Sequence, residues 1–428
     1  MHLTAPADTH RTSSADLKVL WYSLGVIGLL ALYYATAWRS FHDFQLKIDH
    51  CEIPFCDFVE FFYPMGHEIF ASHAPVTGYY YSPLFAVVLG IFGALSADVS
   101  LLAWVGSIIV TMILMFFLSL KLTDIAVRRQ IPVFLLFFLT SFPLVHNFKW
   151  GQVSVFLTFL VIFGGVLYEQ NHRALSAGAL VLAISIKYYP AIFLPYFLFK
   201  KDWKFLAWIV VWGVLDVFVL PSLVLGIDHT LDFYRTLAGG VYANEVAGGG
   251  PNSQYIVNVF MRGVHALQTH SDALRFALAV AGFGVVYVNL VLILRLAGSM
   301  LPRRTAWAFV VGFLTIVFYT ATSWPHYLVF FPFCQFYLFR EIWGDSFLST
   351  GKRYLLSAMV LVSSFLSSIV LFNLIDDYRV YNGWGTLFWS DCIQLLVTYL
   401  LLLPKLPGLW SGKKNVPAPL SEPARLQT

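Results

Sequence analysis

Three ionisable side chains stand where apolar segments of this sequence end. Asp57 follows CEIPFC and begins FVEFFYP, Lys187 lies in ISIKYYP, and His326 lies in TSWPHY. An aspartate can take a proton from a reacting group, and a histidine titrates near neutral pH. A lysine can hold a phosphate as a point charge. Because ionisable groups at a membrane boundary are costly unless they are used, these three are the first candidates for catalysis and ligand binding.

Each of the three also has a structural interpretation. Asp57 could cap the helix that begins there, since an aspartate oxygen can accept hydrogen bonds from free N–H groups, and capping is compatible with catalysis. Lys187 could snorkel to an interface, and His326 could be a satisfied interfacial histidine. Pro325 breaks a helix immediately before His326 and favours a position beside a cavity. The residues alone leave both interpretations open.

Further candidates are less strongly indicated. Lys149 and Gln152, in NFKWGQVS, add a second cation and an amide that could contact a phosphate. Glu60 is a weaker candidate, and the pair Asp376–Asp377 is better explained as solvated loop charge. The predicted substrate contacts are Tyr63, Tyr81, Asn252, Tyr255 and Arg262. No cysteine pair has zinc-site spacing with histidines, and neither a metal nor a cofactor is predicted.

The composition is that of a polytopic integral membrane protein. Of 428 residues, 59% are hydrophobic and 12% are charged, whereas soluble domains carry about 25% charged residues. The mean hydropathy is +0.73. The net charge of +4 is spread over loops, without the basic block that is typical of nucleic-acid binding. The first apolar run is too long for a signal-peptide core and is predicted to be a retained span.

The apolar segments predict an all-α fold with about twelve spans, because a helix needs about 20 apolar residues to cross the bilayer. Clear spans are predicted at 18–38, 100–121, 152–168, 204–224, 273–295, 305–322, 326–340, 353–374 and 385–403. Shorter apolar pieces lie at 82–97, 131–146, 174–187 and 189–199. Such pieces can be half-spans or spans of broken helices that line a cavity.

Lysine and arginine in short loops predict the orientation. The basic loops EQNHR, KKDWK and LPRR are expected in the cytoplasm, with the tails 1–17 and 405–428 flanking a transmembrane domain at 18–404. Segments 39–81 and 225–272 then form two long loops on the outer side of a bacterial plasma membrane.

Two groups of basic residues bear on this orientation. Lys149 and Lys187 are expected near the outer face, together with Gln152. Arg128 and Arg129 look cytoplasmic, which requires 82–97 to be a half-span unless the charge rule fails there.

The first outer loop carries two local signals. Its apolar residues Phe58, Phe61, Phe62, Ile69 and Phe70 recur at helical spacing and predict an amphipathic helix in the membrane interface. Thiols outside the cytoplasm tend to be oxidised, so Cys51 and Cys56 are predicted to form a disulfide unless geometry forbids it. In the second loop, GGGPN indicates a flexible turn and NSQYIVNVF a re-entrant or interfacial segment.

Several of these motifs together resemble a known family. Asp57 with FVEFFYP, then GYYYSPL, KWGQVSVFLTFLVIFGG and ALSAGALVLAISIKYYPAIFLP, are similar to the polyprenol-phosphate-mannose-dependent mannosyltransferases of the GT-C superfamily. Members of that family extend phosphatidylinositol mannosides in actinobacteria. The resemblance runs from about Asp57 to His326. This sequence differs in having Ser154 where the Gly-Gln motif usually continues with asparagine, and YSP where YPP is common.

The resemblance implies a GT-C fold with an active site just outside the bilayer and an inverting sugar transfer from a lipid-phosphate donor. It implies that Asp57 is the general base, that His326 serves the site, and that Lys187 belongs to the family's Lys-x-x-Pro turn. The expected partners are a polyprenyl-phosphate sugar, a glycolipid or glycan acceptor and membrane lipids. One carboxylate with lysines fits this reaction, since a phosphate leaving group needs cations and no general acid.

Two other functions stay open at this point. A lipid or sugar transporter of similar topology often shows inverted repeats, and no repeat is visible here. An O-antigen ligase or polymerase would use arginine and histidine in a large outer loop, for which Arg262 and His265 are available.

Overall fold

The computed structural model describes residues 14–38, 53–122, 131–246, 252–265 and 272–406. Some sequence predictions lie outside these ranges: those for Cys51, for Arg128 and Arg129, for the glycines and proline of GGGPN, and for most of both tails. The side chain of His265 is also outside the described part.

Within the described ranges, the regular structure is helical, which agrees with the predicted all-α class. The helices are α1 Ser14–Trp38, α2 Tyr63–Ser72, α3 Pro83–Gly93, α4 Ala97–Leu122, α5 Ile131–Leu139, α6 Phe142–Trp150, α7 Ser154–Glu169, α8 Arg173–Ile186, α9 Leu194–Phe199, α10 Trp203–Val214, α11 Leu220–Leu225, α12 Ile227–Val246, α13 Ile256–His265, α14 Asp272–Gly298, α15 Arg304–Phe313, α16 Phe331–Gly344, α17 Thr350–Leu366, α18 Ile369–Ile375, α19 Tyr378–Gly383 and α20 Thr386–Leu402. The π-helix Asp57–Phe62 leads into α2, and a second one, Leu215–Val219, joins α10 to α11.

Four described helical stretches are long and apolar enough to cross a membrane. They are Ala97–Leu122, Trp203–Leu225, Asp272–Gly298 and Thr386–Lys405. Each coincides with a span predicted from the sequence, and an all-α membrane protein follows from them. The remaining apolar helices are shorter, so the total of about twelve spans stays a prediction.

The helix α3 is too short to cross a bilayer. Its 11 residues extend about 16 Å, whereas the hydrocarbon core is about 30 Å thick. This length fits the half-span alternative for 82–97, which is the alternative that leaves the loop after α4 on the cytoplasmic side.

Two predicted apolar segments are each broken into two helices, and the breaks lie side by side. The segments are 131–146 and 353–374. The backbone N–H of Phe142 donates to the carbonyl of Ser367 at 2.8 Å, and that of Ile369 donates to the carbonyl of Thr140 at 2.8 Å. Each break thus satisfies backbone groups that the other leaves free, as an apolar environment requires.

The predicted spans 305–322 and 326–340 are interrupted by irregular backbone. Helix α15 ends at Phe313 and α16 begins only at Phe331, with two short 3₁₀ helices between them, Ile316–Phe318 and Pro325–Leu328. Proline has no N–H to continue a helix, so Pro325 stands at the start of the second turn. This irregular segment carries His326.

Close glycine packing docks α2 against α3. A Cβ built on Gly93 would overlap the backbone of Gly66 and His67, and a Cβ on Gly66 would overlap the carbonyl of Leu89. The two helices therefore approach to backbone contact. This contact ties α2 to the helical core.

The basic loops meet acidic side chains at one end of the structure. Arg173 pairs with Asp202 and Arg303 with Glu341, both at 2.9 Å. The hydroxyl of Thr305, two residues after Arg303, bonds to Glu169 beside the first pair. The loops EQNHR, KKDWK and LPRR therefore share one side, as predicted, while the identity of that side stays a prediction.

Candidate active site

Asp57 is the first residue of the π-helix that leads into α2. The N-cap is Cys56, and no side chain caps this helix end, so the interpretation of Asp57 as a cap is wrong. Its Oδ2 atom accepts a hydrogen bond from the side-chain amide of Gln152. Turns of π-helix are frequent at functional sites.

Aromatic packing fixes the helix that carries Asp57. Phe58 is buried and stacks on Trp104 of α4 with ring centroids 4.8 Å apart, and Phe62 meets the same indole at 5.8 Å. The predicted amphipathic helix is therefore present. Its buried members are Phe58, Phe62 and Ile69, and its exposed members are Phe61 and Phe70.

Lys187 follows the last residue of α8 and lies among aromatic rings. Its ammonium is 4.2 Å from the ring centroid of Tyr327 and 5.4 Å from that of Tyr81. Cation–π contacts of this kind hold a cation where water is scarce. The ammonium is thus directed at the same aromatic cluster that surrounds the cavity described below.

The charges of Asp57 and Lys187 act on each other. Burial raises the pKa of the Asp57 carboxyl to about 6, although the hydrogen bond from Gln152 and the charge of Lys187 hold it down. Burial lowers the pKa of the Lys187 ammonium to about 7, and the Asp57 carboxylate opposes that shift. At neutral pH the carboxylate is therefore mostly ionised and able to accept a proton, which is what a general base needs.

A cavity of about 440 Å³ opens beside Lys187, within the range of ordinary ligand pockets. Its lining includes Lys187, Tyr81, Trp324, Tyr327 and Tyr234 of α12. The walls are mostly aromatic and apolar, with Lys187 as the charged group. Such a site suits a ligand that joins an anionic group to a ring or chain with apolar faces.

His326 is buried at the back of this cluster. Its ring stacks on that of His146 at 5.7 Å and meets Trp324 edge-on at 5.7 Å. Neither ring nitrogen has a hydrogen-bond partner among the described residues. Since buried polar atoms are rarely left unpaired, these nitrogens are available to a ligand or a water. Among the described residues, His326 therefore has no protein partner that would satisfy its ring nitrogens.

The two other predicted phosphate ligands are placed differently. Gln152 is buried and directs its amide nitrogen to Asp57. Lys149 is also buried, at the end of α6, and its carbonyl accepts a hydrogen bond from the N–H of Phe55 at 2.6 Å. Neither residue lines the cavity.

Four predicted substrate contacts lie away from the cavity. The hydroxyl of Tyr63 donates to the carbonyl of Leu95 at 3.1 Å. Arg262 donates to the carbonyls of Ser253 at 2.7 Å and Asn382 at 3.2 Å. The other two, Asn252 and Tyr255, flank Ser253 in the same segment. Of the five predicted contacts, only Tyr81 lines the cavity.

The remaining candidates have structural positions. Glu60 is exposed on the Asp57 helix. Asp377 caps α19 by accepting hydrogen bonds from the N–H groups of Arg379 and Val380, and Asp376 is exposed beside it. The segment NSQYIVNVF, predicted as re-entrant or interfacial, forms a short irregular stretch followed by α13.

Cys56 is disulfide-bonded, and Cys334 and Cys392 are free. Because Cys51 is outside the described residues, its pairing with Cys56 stays a prediction. Among the described residues, no group of three or more histidine, cysteine, aspartate or glutamate side chains is placed to hold a metal ion.

Sequence reasoning missed the aromatic walls of the site. Trp324 and Tyr327 flank His326 in the motif TSWPHY, and Tyr188 follows Lys187 in IKYYP. Aromatic residues near span ends usually anchor a protein at the membrane interface, so local pattern did not distinguish these residues from the other aromatic residues. The available signal was that aromatic residues stand next to the charged candidates in the sequence.

The fold and site define a helical membrane protein with a half-buried aspartate and a half-buried lysine whose charges act on each other, the lysine lining an aromatic cavity. The profile of glycosyltransferase family 87 matches residues 79–324, more than half of the chain. The chain belongs to this family of glycosyltransferases. The match includes Tyr81, Gln152 and Lys187, whereas Asp57 lies 22 residues before its start and His326 two residues after its end. No curated protein and no solved structure gives a significant match to the chain.

Proposed function

We propose that this glycosyltransferase is an inverting enzyme of the GT-C type that uses a polyprenyl-phosphate sugar. It moves a hexose, which we propose to be mannose, to a lipid-linked or cell-envelope glycan acceptor. The reaction takes place on the outer face of a bacterial plasma membrane. The single observation that carries this proposal is that the charges of Asp57 and Lys187 act on each other, with Lys187 in the lining of an aromatic cavity.

The two side chains supply the two groups that one displacement needs. The acceptor hydroxyl gives its proton to Asp57 while its oxygen forms a bond to the anomeric carbon. The bond from that carbon to the phosphate oxygen breaks, and the electron pair leaves with polyprenyl phosphate. Lys187 stabilises the negative charge that develops on the phosphate, so a general acid is unnecessary.

A retaining mechanism is less well supported. It needs a second carboxylate about 5 Å from the first to act as nucleophile or acid. Glu60 follows Asp57 on the same helix, but its side chain is exposed. The observed pair of one carboxylate and one cation fits a single displacement with inversion.

The aromatic walls support a sugar-bearing lipid as the ligand. Sugar rings present apolar C–H faces that pack on aromatic rings, and the first isoprene units are wholly apolar. Tyr327 and Tyr81 face the ammonium of Lys187, and Trp324 packs against Tyr327 with ring centroids 6.4 Å apart. The phosphate that joins sugar to prenyl chain would then lie at the cation, with apolar groups on both sides.

Neither alternative function has a specific observation in its favour. The ligase hypothesis depended on Arg262 and His265. The guanidinium of Arg262 is bound to backbone carbonyls, and the side chain of His265 lies outside the described part of the chain. Membership of a glycosyltransferase family favours transfer chemistry over transport.

Purified protein supplied with radiolabelled polyprenyl-phosphate mannose and a membrane-lipid acceptor fraction tests the proposal. We expect label in an acceptor product with the anomeric configuration opposite to that of the donor, together with release of polyprenyl phosphate. Label that crosses a vesicle membrane without cleavage would indicate a transporter. Transfer from a polyprenyl-diphosphate glycan alone would indicate a ligase.

A further inference from the structure

Gln152 is the residue through which the turn between α6 and α7 reaches Asp57. Its side-chain Nε2 donates a hydrogen bond to Oδ2 of Asp57, and the residue is 4% exposed. Among the described residues, Gln152 is the one whose side chain donates a hydrogen bond to the Asp57 carboxylate. The amide nitrogen is therefore engaged with the carboxylate, and Gln152 does not line the cavity.

The backbone of Gln152 is held on both sides by one asparagine. The side-chain amide of Asn147 donates to the carbonyl of Gln152 at 3.0 Å, and its oxygen accepts from the N–H of Val155 at 3.3 Å. The N–H of Gln152 in turn donates to the carbonyl of Asn147 at 3.0 Å. Asn147 is completely buried. These bonds fix the turn before any ligand arrives.

The same turn is pressed against the helix of Asp57. Gly151 has a φ of +68°, and a Cβ added there would lie 3.0 Å from the Cβ of Phe58. The indole N–H of Trp104 donates to the carbonyl of Gly151 at 2.8 Å, and the same indole stacks on Phe58. The distance between the two elements that carry Gln152 and Asp57 is therefore set by rigid contacts.

Four groups determine the electrostatic environment of the carboxylate. Lys187 and the amide of Gln152 favour the ionised form, and Glu60 opposes it. The phenol of Tyr81, on the cavity wall, is close enough to feel the charge of Asp57. Of these groups, Gln152 makes the direct hydrogen bond and has no charge of its own to change with pH.

We propose that Gln152 is a positioning residue for Asp57 and does not bind the donor phosphate. Its amide holds Oδ2, and the described residues give Oδ1 no hydrogen bond, so Oδ1 is the atom that takes the acceptor proton. The amide also keeps the carboxylate ionised near neutral pH. This proposal rests on the proposed role of Asp57 as general base.

The substitutions Gln152→Met and Gln152→Glu test it. Methionine keeps the length and removes the donor, so the acidic limb of kcat/KM should move up by about one pH unit. Glutamate places a like charge beside Asp57 and should move the acidic limb of kcat/KM to still higher pH. The dissociation constant of the donor should stay within about twofold of wild type, because no phosphate contact is lost.

The proposal is contradicted if the dissociation constant of the donor rises about tenfold or more in Gln152→Met while the acidic limb of the kcat/KM profile stays at the same pH. That combination is what the loss of a phosphate ligand would produce. Gln254→Met is the matched control. Gln254 is an equally buried amide that bonds to Asn382. Its substitution should leave the acidic limb where it is.

An infrared titration of the Asp57 carboxyl separates this proposal from the proposed function. The infrared band of the protonated Asp57 carboxyl is assigned by its absence in Asp57→Asn. Its measurement does not require an active enzyme. We expect its midpoint to rise in Gln152→Met, and an unchanged midpoint overturns the proposal even if the variant is slow or unstable. If the midpoint rises while Asp57→Asn retains full turnover, Gln152 orients Asp57 as inferred and the assignment of the base is what fails.

Discussion

The affinity of the enzyme for its donor should depend on the protonation of Lys187. The donor phosphodiester keeps its charge across neutral pH, and Asp57 is already ionised above its pKa of about 6. With a pKa of about 7, Lys187 is about half protonated at pH 7 and about one-tenth protonated at pH 8. Because only the protonated fraction binds the phosphate well, the dissociation constant should rise roughly fivefold over that interval.

Removing the charge should remove this pH dependence. Lys187→Met keeps the length of the side chain but loses a charge-assisted contact of about 1.5–3 kcal/mol, which weakens donor binding roughly 10- to 150-fold. Lys187→Arg stays protonated throughout and should bind with a flat pH profile. Lys149→Met is the matched control, since Lys149 is buried but does not line the cavity.

The assay is equilibrium binding of the polyprenyl-phosphate sugar in detergent, without acceptor, at pH 7 and pH 8. An equal affinity at both values in the wild type would refute the argument from Lys187. So would a Lys187→Met variant that folds and binds the donor as well as the wild type.

Four other predictions address the fold and the site. Gly93→Ala should destabilise the protein by about 1–3 kcal/mol in thermal unfolding, because the added Cβ would overlap the backbone of α2. The control Gly90→Ala should be nearly neutral, because the nearest atom to a Cβ added there is 3.8 Å away. Equal effects of the two substitutions would contradict the close packing of α2 on α3. His326→Ala should lower turnover by less than ~100-fold, the lower end of what a base contributes, and a larger loss would make His326 the base. Cys56→Ser should reduce turnover without loss of expression, and mass spectrometry of native membranes should find Cys56 oxidised. Cysteine labelling should reach 39–81 from outside only, and labelling from the cytoplasm would contradict the proposed location of the site.

The sequence predicted the helical elements well where each could be read alone. Long apolar runs such as Ala97–Leu122 and Asp272–Gly298 appear as single helices because their periodicity and length suffice. The broken segments were harder to predict. The break before Phe142 is stable because Ser367, more than two hundred residues away, accepts its N–H, and such pairing is invisible to local pattern.

The residues of the site could likewise be predicted where the local sequence sufficed, and could not be predicted where distant contacts decide their role. Asp57, Lys187 and His326 could be selected because charge beside an apolar segment is costly, and the structure gathers them around one aromatic cluster. The role of Gln152 could not be predicted, since it depends on which atom its amide meets across 95 positions of sequence. Arg262 was misjudged for a related reason: a lone arginine in an outer loop looks available until its backbone partners are known.

The turnover of Asp57→Asn tests the central claim most directly. Asparagine keeps the size of the side chain and can still meet the amide of Gln152 after a flip, but it cannot accept a proton at neutral pH. Since a general base contributes roughly 10²–10⁴-fold, turnover of polyprenyl-phosphate mannose should fall by at least ~100-fold, with normal expression and donor affinity. Turnover within a few-fold of the wild type would remove Asp57 from catalysis and contradict the account.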